Sequence, residues 1–170
     1  MSNKQPGALE ASREAYIFSL LVQDSPGVLQ RICALLTRRG INIASIAVGR
    51  SEESGLSRIT LQTTPDGRAS SLQIRHQLGK LIDVLAVEPL EAESCVRREL
   101  ALIKLADTNE ALLLIGPHQQ QGTVTLLERN NGMLLLQAAA APERLQALLE
   151  ELRPLSPLRV VRSGILAECL

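Results

Sequence analysis

Apolar residues in this chain change period in one fixed order: a strand-like run, a helical stripe, two strand-like runs, a second stripe and a last strand. The chain passes through that order twice. Few architectures accept it. A β-α-β-β-α-β unit is the split βαβ, or ferredoxin-like, plan, in which two helices cover one face of a four-stranded antiparallel sheet. The reading is therefore α+β, with two ferredoxin-like βαββαβ domains. A length of 170 residues agrees, since two small domains of about 75 to 80 residues each fill it.

In the first unit, Tyr16 to Val22 (YIFSLLV) is a short apolar run ending in turn chemistry, as a buried strand does. After it, Ser25 suits an N-cap and Pro26 the first helical position, with Val28, Leu29, Ile32, Cys33, Leu35 and Leu36 at helical spacing. Arg38 and Arg39 complement the helix C-terminus and Gly40 suits C′, so a helix is predicted over 26–39. Strands follow at Asn42 to Val48 and Ser57 to Thr64. In the latter, Ile59, Leu61 and Thr63 alternate with Arg58, Thr60 and Gln62, which predicts one buried and one wet face. The turn Pro65-Asp66-Gly67 leads to a helix ending near Gly79, and a fourth strand is predicted over Ile82 to Val87.

The second unit starts near Arg98 to Ala106. A helix is predicted from Asn109 to Ile115, with Pro117 as an early stop. Strands at Thr123 to Glu128 and Met133 to Gln137, a helix at Pro142 to Leu152 and a strand at Leu158 to Arg162 complete it. Leu145, Leu148, Leu149 and Leu152 form the stripe of that last helix. The expected organisation is a mobile N-terminal extension over 1–15, a first domain over 16–90 and a second over 96–170, joined near Pro89 to Cys95.

Composition excludes several functions. Eighteen basic residues balance eighteen acidic ones, and Tyr16 and Phe18 are the only aromatics, so neither a phosphate backbone nor a stacked base finds a partner here. Nucleic acid is not expected. No apolar run is long enough to span a bilayer and residues 1–15 lack a signal-peptide core, so no membrane association and a cytoplasmic location are expected. Cys33, Cys95 and Cys169 are odd in number and far apart, which argues against a disulfide framework or a zinc site. His76 and His118 have no second ligand at metal spacing and read as surface residues. Ser19, Ser25 and Ser57 have no plausible His partner, so no catalytic residue and no metal site are expected. Arg97, Arg98 and Glu99 fit either a charged strand edge or a contact with another subunit, and the solvated edge is the default reading.

The turn Gln23-Asp24-Ser25-Pro26-Gly27 carries the candidate site. A helix N-terminus offers unpaired N–H groups and a dipole that favour an anion. Gly27 admits close approach to the backbone, and Asp24 supplies an acceptor for an ammonium group, so the set complements a zwitterion. Local chemistry equally allows Asp24 and Ser25 to be plain helix caps and Pro26-Gly27 a plain turn.

From Leu20 to Val48, LLVQDSPGVLQRICALLTRRGINIASIAV closely resembles the ACT domain of the acetolactate synthase small (regulatory) subunit. The resemblance continues through LSRITLQT (56–63), QLGKLIDVLAV (77–87), VRRELALIKL (96–105) and VVRSGILAE (160–168), leaving only the N-terminal extension outside. It implies a non-catalytic chain that dimerises through its ACT domains, activates a separate catalytic large subunit and confers feedback inhibition by valine. Thiamine diphosphate, magnesium and FAD would belong to that partner, with no cofactor in this chain. By the same resemblance, Asp24, Ser25, Pro26, Gly27 and Val28 of one copy and Asn42 and Ile43 of another would hold the effector. Asp24 stands where some members have Asn, and residues 107–121 (DTNEALLLIGPHQQQ) replace the family's polar, charged helix. A stand-alone ACT-repeat sensor controlling transcription or another enzyme would use the same zwitterion site. An acylphosphatase-like hydrolase would need an Arg in the loop where Asp24 stands.

Overall fold

The computed structural model describes residues 15–64, 69–91 and 94–169. Residues 1–14 of the expected extension and the turn Pro65-Asp66-Gly67 lie outside the described residues. The order is β1 (Tyr16–Gln23), α1 (Val28–Arg38), β2 (Asn42–Arg50), β3 (Leu56–Thr64), α2 (Ser71–Leu78) and β4 (Val84–Leu90). It then repeats as β5 (Cys95–Ala106), α3 (Asn109–Gln120), β6 (Val124–Asn130), β7 (Met133–Ala140), α4 (Pro142–Leu152) and β8 (Arg159–Cys169). The strands form two antiparallel four-stranded sheets of equivalent order, β2-β3-β1-β4 and β6-β7-β5-β8. Both are the expected ferredoxin-like arrangement.

Two separate cores follow from this order. Phe18, Leu20, Val22, Ile59 and Leu61 meet Val28, Ile32 and Leu36 of α1 and Ile74 and Leu78 of α2. In the second unit, Ala101, Ile103, Leu105, Leu134 and Leu136 meet Ala111 and Ile115 of α3 and Leu145, Leu148 and Leu152 of α4. Each Val, Leu, Ile or Phe side chain among them contributes about 1.5–3 kcal/mol when fully buried, so the stripes and the strand alternation together dictate which faces join.

Local chemistry sets the helix ends. Gly40, at φ +67°, donates to Thr37 O while Ile41 N donates to Leu36 O, both at 3.0 Å, which is the Schellman termination expected of Gly at C′. Ser70 and Gln73 form a capping box on α2. Helix α1 starts later than predicted. Pro26 and Gly27 occupy the middle of a turn closed by Val28 N donating to Ser25 O at 3.4 Å, with Gly27 at φ +86° as the left-handed position a type II turn demands. Gly27 is consequently the N-cap, and Ser25 is not.

Helix α3 runs through Pro117, against expectation. Thr108 caps it by accepting from Ala111 N at 3.1 Å, and Gly116 has no Cβ to clash with the proline ring. Only the last turn follows the proline, so the missing N–H costs a single bond. His118 in that turn is not a bare surface residue, because its Nε2 lies 2.9 Å from Glu151 Oε2 of α4. Ile82 falls outside β4 and is 91% exposed.

Strand β5 is central, between β7 and β8, but its pairing with β7 starts only at Glu99, so Arg97 and Arg98 pair with β8 alone and keep an open side while Glu99 is flanked by strands on both. Glu99 is buried and accepts two bonds from Arg162, at 2.9 Å from Nε and 2.6 Å from Nη2, while Arg97 pairs with Glu143 of α4. The wet face predicted for β3 is also partly covered. Ile17, Ser19 and Thr60 point away from the helices yet are buried, because β8 of the second unit contacts β2, β3 and β4 on that side.

Cysteine pairing is a further correction. Cys95 and Cys169 stand opposite each other at the end of the β5–β8 ladder, with Cα atoms 4.2 Å apart, and form a disulfide. Their separation of 74 residues conceals this in the sequence, because only strand pairing brings the two ends together. Cys33 is the free cysteine and is half-buried. Alkylation without reductant should therefore label Cys33 alone, and reduction should expose all three thiols to the reagent. Labelling of Cys95 in the unreduced protein would contradict the pairing. Among the described residues, no helix is long and apolar enough to cross a membrane, and no His, Cys, Asp and Glu cluster suited to a metal ion occurs.

Candidate functional site

The turn between β1 and α1 is tied down by its backbone. Gln23 N donates to Asp83 O at 2.9 Å and Asp24 N to Gly55 O at 2.8 Å, so the end of β1 is fastened both to the segment before β4 and to the β2–β3 loop. Asp24, Ser25 and Pro26 are exposed, Gly27 is half-buried, and Val28 is buried in the core. With its backbone fixed and its side chains outward, the turn presents rather than hides its polar groups.

No side chain caps α1. The plain capping role open to Asp24 and Ser25 is thus not taken up, and the first-turn N–H groups have no side-chain acceptor. A helix start in that condition, with the positive end of the dipole behind it, favours an anion.

Two residues that the sequence did not single out shape the same spot. Arg31, one turn into α1, donates from Nε to Asp83 Oδ2 at 2.6 Å. Its guanidinium folds back over the turn, so a Cβ placed on Gly27 would sit 2.8 Å from Nη1. Asp83 is buried while Arg31 is 44% exposed at its side chain, so the pair anchors the cation's stem and leaves its face open to the turn. The i to i+4 spacing of Gly27 and Arg31 is visible in the sequence, but Asp83 is not, being 52 positions from Arg31.

Asn42 and Ile43 lie elsewhere. Ile43 pairs with Thr63, which pairs with Tyr16 at the start of β1, whereas the turn follows Gln23 at the other end, where β1 pairs with Leu56. Seven steps of strand separate the two ends, about 23 Å at 3.3 Å per residue. Within one chain these two groups cannot line one pocket. Asn42 is exposed, with Nδ2 donating to Thr64 Oγ1 at 3.4 Å, and Ile43 packs partly against the core. Both sit on β2, an edge strand of its sheet.

Residues 18–86 match the model of the AHAS small subunit-like ACT domain, and residues 98–167 match that of the small subunit of acetolactate synthase. The acetolactate synthase small subunit of Mycolicibacterium smegmatis is 36% identical over 154 residues, 89% of each chain. That of Bacillus subtilis is 34% identical over 151 residues, covering 89% of this chain and 88% of its own. The crystal structure of the acetolactate synthase small subunit from Thermotoga maritima superposes with a TM-score of 0.82 at 30% identity, covering 92% of this chain and 98% of that one. With both halves matched by their own models and the whole fold shared, the chain belongs to the acetolactate synthase small subunit family, and its first half is an ACT domain.

Proposed function

We propose that this chain activates the catalytic subunit of acetolactate synthase and makes it sensitive to valine in branched-chain amino acid biosynthesis. The observation that carries the effector half is the β1–α1 turn, a glycine-based helix start without a side-chain cap. There the N–H groups receive the carboxylate, and Asp24, with Ser25 and Pro26 beside it, receives the ammonium group. Gly27 leaves room, and Val28 closes the floor. Asn42 and Ile43 of a second copy complete the pocket, since their own copies sit at the far end of the same sheet.

On this reading the sensing unit is a homodimer joined through residues 16–90, while residues 96–170 carry the remaining subunit contacts. Thiamine diphosphate, magnesium and FAD reside in the catalytic partner, and no bond is made or broken on this chain. Valine acts by linkage: it binds one dimer arrangement better than another, and that arrangement holds the partner less active. The setting is the cytoplasm, where reduction of Cys95 and Cys169 would still leave the rest of the β5–β8 ladder in place.

Adding the full chain to the isolated catalytic subunit should raise turnover and make it fall on addition of valine. Calorimetry should show valine binding one site per pair of turn and β2 halves, with affinity lost on dilution to monomer. Unchanged turnover with and without the chain would refute the proposal.

A further inference from the structure

Two β-bulges face each other across the two units. In β8, Ser163 and Gly164 together oppose Leu100 of β5, because Arg162 pairs with Ala101 and Ile165 with Glu99. Gly164, the second bulged residue, takes φ +82° in the left-handed region, and Leu100 N donates to Ser163 Oγ at 3.1 Å instead of to the ladder. In β2, the register shifts at Ala44, between Ile43 and Ser45. The bend in β8 brings its backbone onto the shifted part of β2, where Ile165 N donates to Ser45 Oγ at 2.9 Å. A Cβ on Gly164 would fall 2.8 Å from Ser45 Oγ and 3.2 Å from Ile46 O, so only glycine permits the approach.

Both ends of this contact lead somewhere. On β2 it is two residues from Ile43 and three from Asn42, with the bulge between. On β8 it is three residues from Arg162, whose guanidinium is clamped to buried Glu99 and also bonds Gln146 of α4. A movement of Asn42 and Ile43 would reach Ser45 through the bulge, and a shift of Ser45 would either keep or break the bond to Ile165. Packed elements of this kind have discrete arrangements rather than a continuum, which is what a signal between domains requires.

We propose that the Ser45 to Gly164–Ile165 contact is the coupling point through which an amino acid bound at the β1–α1 turn and β2 alters the second unit. Ser45 is then a positioning residue that touches no ligand. The inference rests on the effector reading given above, with Asn42 and Ile43 in the pocket.

The test compares the wild-type full chain with Ser45→Ala, which deletes the acceptor of the Ile165 N–H without adding bulk, and with Gly164→Ala, which attacks the same contact from β8. Valine affinity is measured by calorimetry on each chain alone and on its complex with the catalytic subunit. Reciprocity requires the catalytic subunit to change valine affinity by the factor by which valine disfavours the active complex, typically about 5- to 150-fold. The expected result is that this difference between free and complexed wild type disappears in both variants, while the free chains bind valine as wild type does and still activate. Hydrogen exchange at the Ile165 amide should respond to valine in wild type and not in Ser45→Ala. A purely structural role would lower the melting temperature and leave the affinity difference intact, which would overturn the inference alone. A wild-type chain that binds no valine would overturn the effector reading and this inference with it.

Discussion

Replacing Gly27 by alanine is expected to abolish the response to valine while leaving activation of the catalytic subunit in place. The backbone there has φ +86°, a region that costs an L-residue with a Cβ roughly 1–2 kcal/mol. The new Cβ also falls 2.8 Å from Arg31 Nη1, so the guanidinium must move, straining its 2.6 Å bond to Asp83. Either response, a turn relaxed to negative φ or a displaced Arg31, changes the helix start that would receive a carboxylate. A loss of at least about tenfold in valine affinity corresponds to 1.4 kcal/mol, within the strain expected. Gly27→Asn separates the causes. Asparagine tolerates the left-handed region better, so it should recover thermal stability without recovering binding. Valine binding by Gly27→Ala at wild-type strength would remove the turn from the site.

Arg162→Met should destabilise the second unit by about 3–5 kcal/mol, because it strands a buried carboxylate. The Glu99 side chain is 4% exposed and both of its oxygens accept from Arg162, whose own side chain is 39% exposed. The guanidinium pKa is raised by that bond to Glu99, the sign expected of a cation whose charged form is held by its partner. Glu99→Gln should cost less, about 1–3 kcal/mol, since the freed arginine can turn to water and glutamine still bonds. Pairing the two substitutions should be milder than Arg162→Met alone, as the stranded charge is then gone. Urea unfolding followed by far-ultraviolet circular dichroism measures all three. Equal losses for the two single variants would mean that Glu99 is better solvated than its burial indicates.

The periodicities of the sequence were sufficient for the element order, because each buried face writes its own spacing into the chain. Leu145, Leu148 and Leu152 predicted α4 to its observed bounds, and Gly40 predicted the end of α1. Local chemistry was misleading where two local rules compete. Ser25 and Pro26 fit an N-cap and first helical position, but Pro26-Gly27 fits a type II turn better, and the turn displaced the helix start to Val28. Pro117 was read as a stop, although Thr108 and the buried Ala111 and Ile115 hold the helix through it.

What the sequence determined by itself is largely set between near neighbours: strand and helix periods, most turn residues, the run of residues from Asp24 to Val28, and the family resemblance. What only tertiary structure decided is which distant segments meet. That includes the pairing of Cys95 with Cys169, the central position of β5 that buries Glu99 against Arg162, the clasp of Arg31 by Asp83, and the contact of Ser45 with Ile165. It also includes the separation of Asn42 and Ile43 from the turn by the length of a sheet. The physical reason is common to all of them. Periodicity records which face of an element is buried, but carries no term for the partner strand or its register, and these partners lie 52 to 120 residues apart.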